Sequence, residues 1–186
     1  MQQTGEHRIA APRARVWEAL NDAEVLKRCI DGCEALSKTG DNAYHAVVRV
    51  RLGPVNAVFS GDVTLSDLDP PNGYTLAVGA KGGAAGFASG TARVKLAADG
   101  DGTLLGYAAE GKVGGKLAQI GQRLIDAAAR KTADDFFQAF ARELAPPGDV
   151  AAPPPPAGRP SPLVIWGGIA AVAVALALLA WRLIGG

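Results

Sequence analysis

Glu110 and His45 are the side chains best suited to acid–base chemistry, but the sequence identifies no partner for either of them. General acid–base catalysis needs groups positioned within hydrogen-bond reach of the reacting atoms. Asp134 and Asp135 are neighbours on a predicted helix, where residues i and i+1 do not face each other, so they do not form a carboxylate pair. Asp62 lies on a predicted outward strand face, which favours a solvated or cross-strand paired side chain. The sequence therefore does not support an acid–base active site.

The two cysteines, Cys29 and Cys33, are separated by three residues. A structural zinc site typically uses two close pairs of ligands. The chain offers no second pair, because His7 and His45 lie in different segments. We therefore expect no metal site. The pair is predicted to form two partly buried free thiols at the junction between a helix and a strand.

Two Gly-rich strings, at 81–90 (KGGAAGFASG) and 111–116 (GKVGGK), do not form a phosphate cradle, because neither contains the GxxxxGK[ST] pattern. They are typical of loops and bends in a curved sheet. The sequence also contains no haem motif, iron–sulfur cysteine set or flavin fingerprint. Residues 1–145 carry 17 Lys and Arg and 17 Asp and Glu, so no basic surplus is available to bind a nucleic acid.

The elements that carry these residues follow a simple order. A short strand over 4–10 precedes a helix whose first turn contains Pro12, and a second short helix covers 23–30. Apolar residues then recur at every second position, which is the period of half-buried strands. The inward faces are Tyr44, Ala46, Val48, Val50 and Leu52; Val55, Ala57, Phe59, Gly61, Val63 and Leu65; Tyr74, Leu76, Val78 and Ala80; Ala88, Gly90, Ala92, Val94 and Leu96; and Leu105, Tyr107, Ala109 and Val113. We predict about six consecutive antiparallel strands, ending at Gly114 and Gly115.

One long amphipathic helix is predicted over 116–144, because apolar residues recur at steps of three and four. Its stripe consists of Leu117, Ile120, Leu124, Ala128, Thr132, Phe136 and Phe140. Phe136 and Phe137 point about 100° apart, so one is expected in the core and the other at a partner contact or a lid. The helix ends before Pro146 and Pro147.

Together these elements predict an α+β domain in which a curved antiparallel sheet wraps the long helix. The inward strand faces carry many Ala and Gly residues, and Gly121 adds another small residue on the helix. Small side chains on both surfaces have two interpretations. They leave an apolar cavity for a ligand, or they let the helix approach the sheet more closely.

The C-terminal region has the composition of a membrane tether. Residues 146–162 are rich in proline, which favours an extended linker. Residues 163–181 contain no charged side chain. A helix of that length spans roughly 28 Å, close to the hydrocarbon thickness of a bilayer. We predict a globular domain over 1–145, a linker over 146–162 and a transmembrane helix over 163–182.

The expected topology is a single pass through the cytoplasmic membrane. No apolar stretch of signal-peptide length occurs near the N-terminus, so the domain is expected on the cytoplasmic side. Small residues at every fourth position would let two anchors pack together, although an Ala-rich helix offers that spacing by chance. They are Gly167, Ala171 and Ala175.

Three segments resemble the CoxG family, named for the G subunit of carbon monoxide dehydrogenase, which is a branch of the START/Bet v1-like (SRPBCC) superfamily of helix-grip domains. They are VWEALNDAEVLKRCIDGCEAL at 16–36, RVRLGPVNAVFSG at 49–61 and GGKLAQIGQRLIDAAARKTADDFFQAF at 114–140. The proline-rich linker and the apolar tail complete the resemblance, which covers essentially the whole chain.

The resemblance implies a helix-grip fold and an accessory, non-enzymatic role. Such proteins are taken to recruit a molybdenum hydroxylase, carbon monoxide dehydrogenase, to the cytoplasmic membrane. Their cavity is thought to bind a respiratory quinone, ubiquinone or menaquinone, which links CO oxidation to the respiratory chain. The expected partners are that enzyme, membrane lipid and quinone, with no covalently bound cofactor. Two alternatives stay open: a membrane adaptor without a ligand, and an enzyme of the same fold that acts on an apolar substrate.

The ligand is expected between the long helix and the sheet. From the alternation, the predicted lining is Phe59, Val63, Leu76, Val78, Tyr107, Leu117, Ile120, Gly121 and Leu124, with Leu26, Ile30 and Phe87 near a mouth. Because successive strand residues point to opposite faces, a shift of one residue would turn a whole strand's lining outward.

Overall fold

A seven-stranded antiparallel sheet, in the order β1-β7-β6-β5-β4-β3-β2, forms the frame of the computed structural model, which describes residues 2–145. The strands are β1 (Gln2–Ile9), β2 (Cys33–Gly40), β3 (Ala43–Leu52), β4 (Val55–Asp69), β5 (Gly73–Lys81), β6 (Phe87–Asp99) and β7 (Gly102–Gly114). The helices are α1 (Arg13–Leu20), α2 (Ala23–Cys29) and α3 (Gln122–Leu144), with short 3₁₀ segments at Gly83–Ala85 and Gly115–Ile120. The predicted α+β class with a C-terminal helix is confirmed.

The predicted strand faces are the observed ones. In β3 the side chains of Tyr44, Ala46, Val48 and Val50 are buried, and the residues between them are not. The register pairs Val48 with Phe59 of β4, so both point to the same inner face. Residues on the inner face avoid water while their neighbours remain solvated, which is why a period of two identifies such strands from the sequence.

The strand β2 has no such pattern in the sequence. Leu36 is its one buried residue, and its pairing with β3 shifts register between Cys33 and Ala35 and again between Lys38 and Gly40. An edge strand with one buried side chain leaves no period to recognise. With β2 included, six consecutive strands follow the short helices, as predicted.

The two short helices join the two edge strands. Since β1 and β2 lie at opposite edges of the sheet, α1 and α2 cross from one edge to the other. The carboxylate of Asp22 caps α2 by accepting a hydrogen bond from the backbone N–H of Glu24 at 2.8 Å. This cap satisfies a backbone donor of the first turn of α2.

The long helix starts later than the sequence predicts. Residues Gly115–Ile120 form a 3₁₀ segment, and Gly121 adopts φ +97° and ψ 141°, outside the helical region. α3 therefore begins at Gln122 rather than at 116. The cause is the positive φ of Gly121, which an α-helix does not contain.

The late start also changes the buried face of α3. The residues that α3 buries are Ile125, Ala129, Thr132, Ala133, Phe136 and Phe140. The predicted stripe is correct for Thr132, Phe136 and Phe140, but Leu124 is 56 % exposed and its place is taken by Ile125. In its first half, α3 packs Ala129 against two small residues of the sheet, Ala92 and Ala109. Here the small side chains allow close approach, which is one of the two interpretations drawn from the sequence.

The predicted linker over 146–162 and transmembrane helix over 163–182 lie outside the described residues. Within residues 2–145, none of the helices has the length and apolar character needed to cross a bilayer.

Candidate ligand-binding cavity

An apolar cavity of about 150 Å³ lies between the inner face of the sheet, α2 and the second half of α3. Its lining consists of Leu20, Leu26, Ile30, Leu36, Tyr44, Val63, Leu65, Tyr74, Leu76, Val78, Ala92, Val94, Leu105, Tyr107, Ala109, Ala133, Phe136 and Phe137. Among these described residues there is no Asp, Glu, Lys, Arg, His or Cys. The cavity is therefore built to exclude water and to hold an apolar group, and its lining offers no acid or base.

Aromatic rings close one side of the cavity. Phe136 stacks on Phe140 with ring centroids 5.6 Å apart, and Phe137 stacks on Tyr107 at 5.4 Å. His7 of β1 joins this group, with its ring centroid 4.1 Å from that of Phe137 and 6.1 Å from that of Tyr107. Burial lowers the pKa of His7, although the nearby carboxylate of Asp134 acts in the other direction. The imidazole is therefore held in its neutral form beside the aromatic group.

Two tyrosines stand at the end of the cavity near α1. The hydroxyl of Tyr44 donates a hydrogen bond to the backbone oxygen of Asn21 at 3.1 Å. Tyr74 is 7 % exposed, and its ring packs edge-on against Trp17 at 5.7 Å. Burial raises the pKa of Tyr74, so its hydroxyl keeps its proton. These hydroxyls are the polar groups of an otherwise apolar lining.

A second, polar groove adjoins the cavity on the outer side of α2 and α3. It has a volume of about 390 Å³, and Ile30 and Phe136 belong to the walls of both. The guanidinium of Arg28 on α2 contacts the carboxylate of Glu143 on α3 at 2.8 Å. That ion pair lowers the pKa of Glu143. The two side chains shared by cavity and groove thus separate the apolar interior from the surface.

The two cysteines line this groove as free thiols at the end of α2 and the start of β2, as predicted. Burial raises the pKa of Cys29 to about 11 and also raises that of Cys33. Both thiols are protonated near neutral pH, which makes them poor nucleophiles and poor metal ligands. No group of three metal-ligating side chains occurs within residues 2–145.

The outer face of the sheet carries an interaction that the sequence did not reveal. The Nδ1 atom of His45 lies 2.7 Å from Asp62 Oδ1, and its Nε2 atom lies 3.0 Å from Ser60 Oγ. The order of atoms is that of a nucleophile–base–acid triad, which would also need backbone N–H groups free to stabilise an oxyanion. At Ser60, β4 pairs with strands on both sides, so its backbone N–H groups are used in the sheet. We interpret this group as cross-strand pairing. Glu110 likewise accepts a hydrogen bond from Gln2 on the exposed face.

The comparison with protein families gives one assignment. The model for CoxG, described as the G subunit of carbon monoxide dehydrogenase, matches residues 5–145, which is most of the chain. The chain belongs to the CoxG family. The family is named for a component of carbon monoxide dehydrogenase, so the role of this chain is related to that enzyme. A comparison with curated proteins gave no match.

Solved structures agree with this fold. A conserved protein from Geobacillus kaustophilus is 30 % identical, with a TM-score of 0.73, and the match covers 77 % of this chain and 95 % of that one. The protein Mll3558 from Rhizobium loti is 22 % identical, with a TM-score of 0.59 and coverage of 77 % and 96 %. Ara h 8.0201 is 13 % identical, with a TM-score of 0.55 and coverage of 77 % and 97 %. The last two show the fold alone, which is Bet v1-like.

The structure of this CoxG-family domain brings together half of the twelve residues of the predicted lining. Those that do line the cavity are Leu26, Ile30, Val63, Leu76, Val78 and Tyr107. Their binding of a ligand stays a prediction. Further lining residues come from the same predicted inward faces, such as Tyr44, Tyr74 and Leu105, so the alternation already contained the signal for them.

The other predicted lining residues lie elsewhere. Phe59 is in the core, where its ring packs against Gly82, and Leu117 is buried in the 3₁₀ segment. Ile120 contacts the β3–β4 turn at Gly53. Gly121 is exposed and is not part of the cavity lining. Leu124 and Phe87, at 56 % and 47 % exposure, point to solvent. The start of α3 at Gln122 instead of 116 accounts for the positions of Leu117, Ile120, Gly121 and Leu124 outside the cavity lining.

Proposed function

We propose that this CoxG-family chain is a membrane-tethered accessory protein that holds a respiratory quinone and recruits carbon monoxide dehydrogenase to the cytoplasmic membrane. The observation that carries the proposal is the cavity, whose lining is apolar and without charge, in a chain whose family is named for that enzyme. A quinone is an apolar ring with two carbonyl oxygens, which matches such a lining.

The size of the cavity favours a ring as its occupant. A buried apolar cavity of roughly 150 Å³ is large enough for a molecule such as benzene. The cavity of about 150 Å³ therefore suits a one-ring head group. The long tail of a respiratory quinone must leave the cavity past its wall, and Ile30 and Phe136 are the wall residues that also border the neighbouring groove.

The character of the lining favours binding over catalysis. Leucine, valine, alanine and aromatic side chains supply hydrophobic contact, and a tyrosine hydroxyl can supply a hydrogen bond. An apolar ligand held in such a lining is shielded from water. Electrons then pass between the enzyme and the quinone when the two proteins meet, and this chain supplies the quinone.

The uncharged run at 163–181 supports the tether. α3 ends at Leu144, so the chain leaves the domain at that end of the helix and continues into the proline-rich segment. A domain on such a segment has the freedom to meet both a bilayer and a soluble enzyme.

The test is quinone reduction by purified carbon monoxide dehydrogenase in vesicles, with and without this protein. Ala133→Phe fills the cavity from α3, whereas Ala127→Phe places the same ring on the exposed face of the same helix. We expect the wild-type protein and Ala127→Phe to accelerate reduction at least tenfold more than Ala133→Phe does. Far-UV circular dichroism checks that all three are folded. Equal rates with and without the protein would exclude the quinone role and leave a membrane adaptor.

A further inference from the structure

We propose that the hydroxyl of Tyr74 orients the ligand by donating a hydrogen bond to a ring carbonyl oxygen. This inference rests on the proposed function, because it names the contact that a quinone would make in the cavity. The ligand class is a conjugated ring ketone, and the atom that recognises it is Tyr74 Oη.

Tyr74 is a buried polar side chain in the cavity wall. It is 7 % exposed and lines the cavity, and no hydrogen bond to its hydroxyl occurs within residues 2–145. A hydroxyl on a cavity wall that makes no bond to the protein is available to donate to a molecule in the cavity. A ligand acceptor in the cavity would satisfy this one.

The hydroxyls of the other two lining tyrosines are placed differently. The hydroxyl of Tyr44 donates to the backbone oxygen of Asn21. The hydroxyl end of Tyr107 lies over Gly5 of β1, where a Cβ would come within 2.7 Å of the oxygen. The hydroxyl of Tyr107 therefore lies against the backbone of β1. Tyr74 is the lining tyrosine whose hydroxyl has neither placement.

The chemistry of a phenol suits both redox states of a quinone. Burial raises the pKa of Tyr74, so the group is a neutral donor at any physiological pH. It donates to a quinone carbonyl, and its oxygen accepts from the hydroxyl of the reduced quinol. The hydrogen bond is therefore kept when the quinone is reduced, with donor and acceptor exchanged. The ligand can stay bound while its redox state changes.

The neighbouring ring of Trp17 fixes Tyr74 and supplies a reporter. Trp17 packs edge-on against Tyr74 with centroids 5.7 Å apart, so a quinone bound at Tyr74 lies within quenching distance of the indole. The chain has three tryptophans, and the other two, Trp166 and Trp181, lie in the C-terminal run. Full-length protein with Phe at both of those positions has Trp17 as its single fluorophore.

The experiment uses a matched pair of probes, duroquinone and durene, which are the same methylated ring with and without two carbonyl oxygens. Quenching of Trp17 measures duroquinone affinity, and competition against duroquinone measures durene affinity. We expect Tyr74→Phe to weaken duroquinone binding about fivefold, which is the effect of one hydrogen bond. The affinity for durene should change by less than about twofold. Tyr44→Phe is the control, because the hydroxyl of Tyr44 is already bonded to the protein. It should change the affinities for duroquinone and durene by the same factor.

The infrared spectrum of bound duroquinone gives an independent readout. In the wild-type protein its carbonyl stretch should lie at lower frequency than in hexane, and Tyr74→Phe should abolish that shift. An unshifted stretch in the wild-type protein, or an equal loss of both probes in Tyr74→Phe, would overturn the role of Tyr74 while leaving quinone binding in place. Absence of binding of either probe to the wild-type protein would overturn the proposed function, and this inference with it.

Discussion

His7 is a titratable side chain set among aromatic rings. Its ring stacks on Phe137 at 4.1 Å and lies parallel to Tyr107 at 6.1 Å. Burial lowers its pKa from the ordinary value of 6.5. Below pH 6.5 the imidazole binds a proton more readily in the unfolded chain than in the folded chain, so protonation favours unfolding.

We therefore predict that the protein loses stability as the pH falls through about 6.5, and that His7→Phe reduces this loss. The measurement is the urea midpoint at about pH 7.5 and about pH 5.5 for both proteins. Phe keeps an aromatic ring in the stack, and His45 is present in both proteins, so its contribution cancels. The same change of midpoint in both proteins would show that His7 binds its proton equally in the folded and unfolded chains.

Single residues also show how far the sequence determines the site. The inward positions of Tyr44 and Tyr74 follow from the period of two, because each strand has one buried face and one face toward solvent. Whether their hydroxyls have partners depends on atoms brought from other elements, such as the oxygen of Asn21. The contact between His45 and Asp62 depends on the β3–β4 register, which the alternation alone does not fix.

At the scale of elements, α2 and α3 are joined across the groove by one ion pair. Arg28 donates from Nε and from an Nη atom to the same Glu143 oxygen, at 3.1 and 2.8 Å. Both side chains are partly exposed, so the pair adds little to stability. It does hold together the two elements that separate the cavity from the surface, through Ile30 on one side and Phe136 on the other.

We predict that Glu143→Gln accelerates both association and dissociation of duroquinone by up to about fivefold and leaves its affinity unchanged. Stopped-flow quenching of Trp17 fluorescence measures both rates. Asp99→Asn is the control, because it removes an ion pair between Arg8 of β1 and Asp99 of β6, and neither residue lines the groove. Faster exchange in the control, or unchanged rates in Glu143→Gln, would place the entrance elsewhere.

The start of α3 is the element boundary that the hydrophobic pattern predicts wrongly. The apolar spacing of Leu117 and Ile120 continues that of the helix, so hydrophobicity alone extends α3 back to 116. The break depends on the backbone of Gly121, which takes a positive φ after a 3₁₀ segment. Glycine permits this conformation without requiring it, and therefore the sequence did not reveal it.

For the whole molecule, the apolar run at 163–181 is the predicted membrane determinant. Residues 1–145 carry equal numbers of acidic and basic side chains, so the domain has no net charge with which to bind anionic lipid. We predict that deleting residues 160–186 moves the protein from the membrane to the soluble fraction and leaves the domain folded. Fractionation and circular dichroism measure the two effects.

A shortened linker is the control for that deletion. Removing residues 148–158 keeps the apolar run and should keep the protein in the membrane fraction. If the protein without residues 160–186 remained in the membrane fraction, a surface of the domain itself would have to bind lipid.

The groove beside the cavity lies along the half of α3 that ends at Leu144, with Arg142 in its wall. The groove and the residue at which the chain leaves α3 therefore lie toward the same end of that helix. If the chain is tethered to the membrane and binds a quinone as proposed, this placement would confine its search for a ligand to the membrane surface. The local concentration of ligand at the groove would then depend on how much of it the lipid holds and on the reach of the linker. Loading would respond to the redox pool of the membrane and be insensitive to the size of the cell.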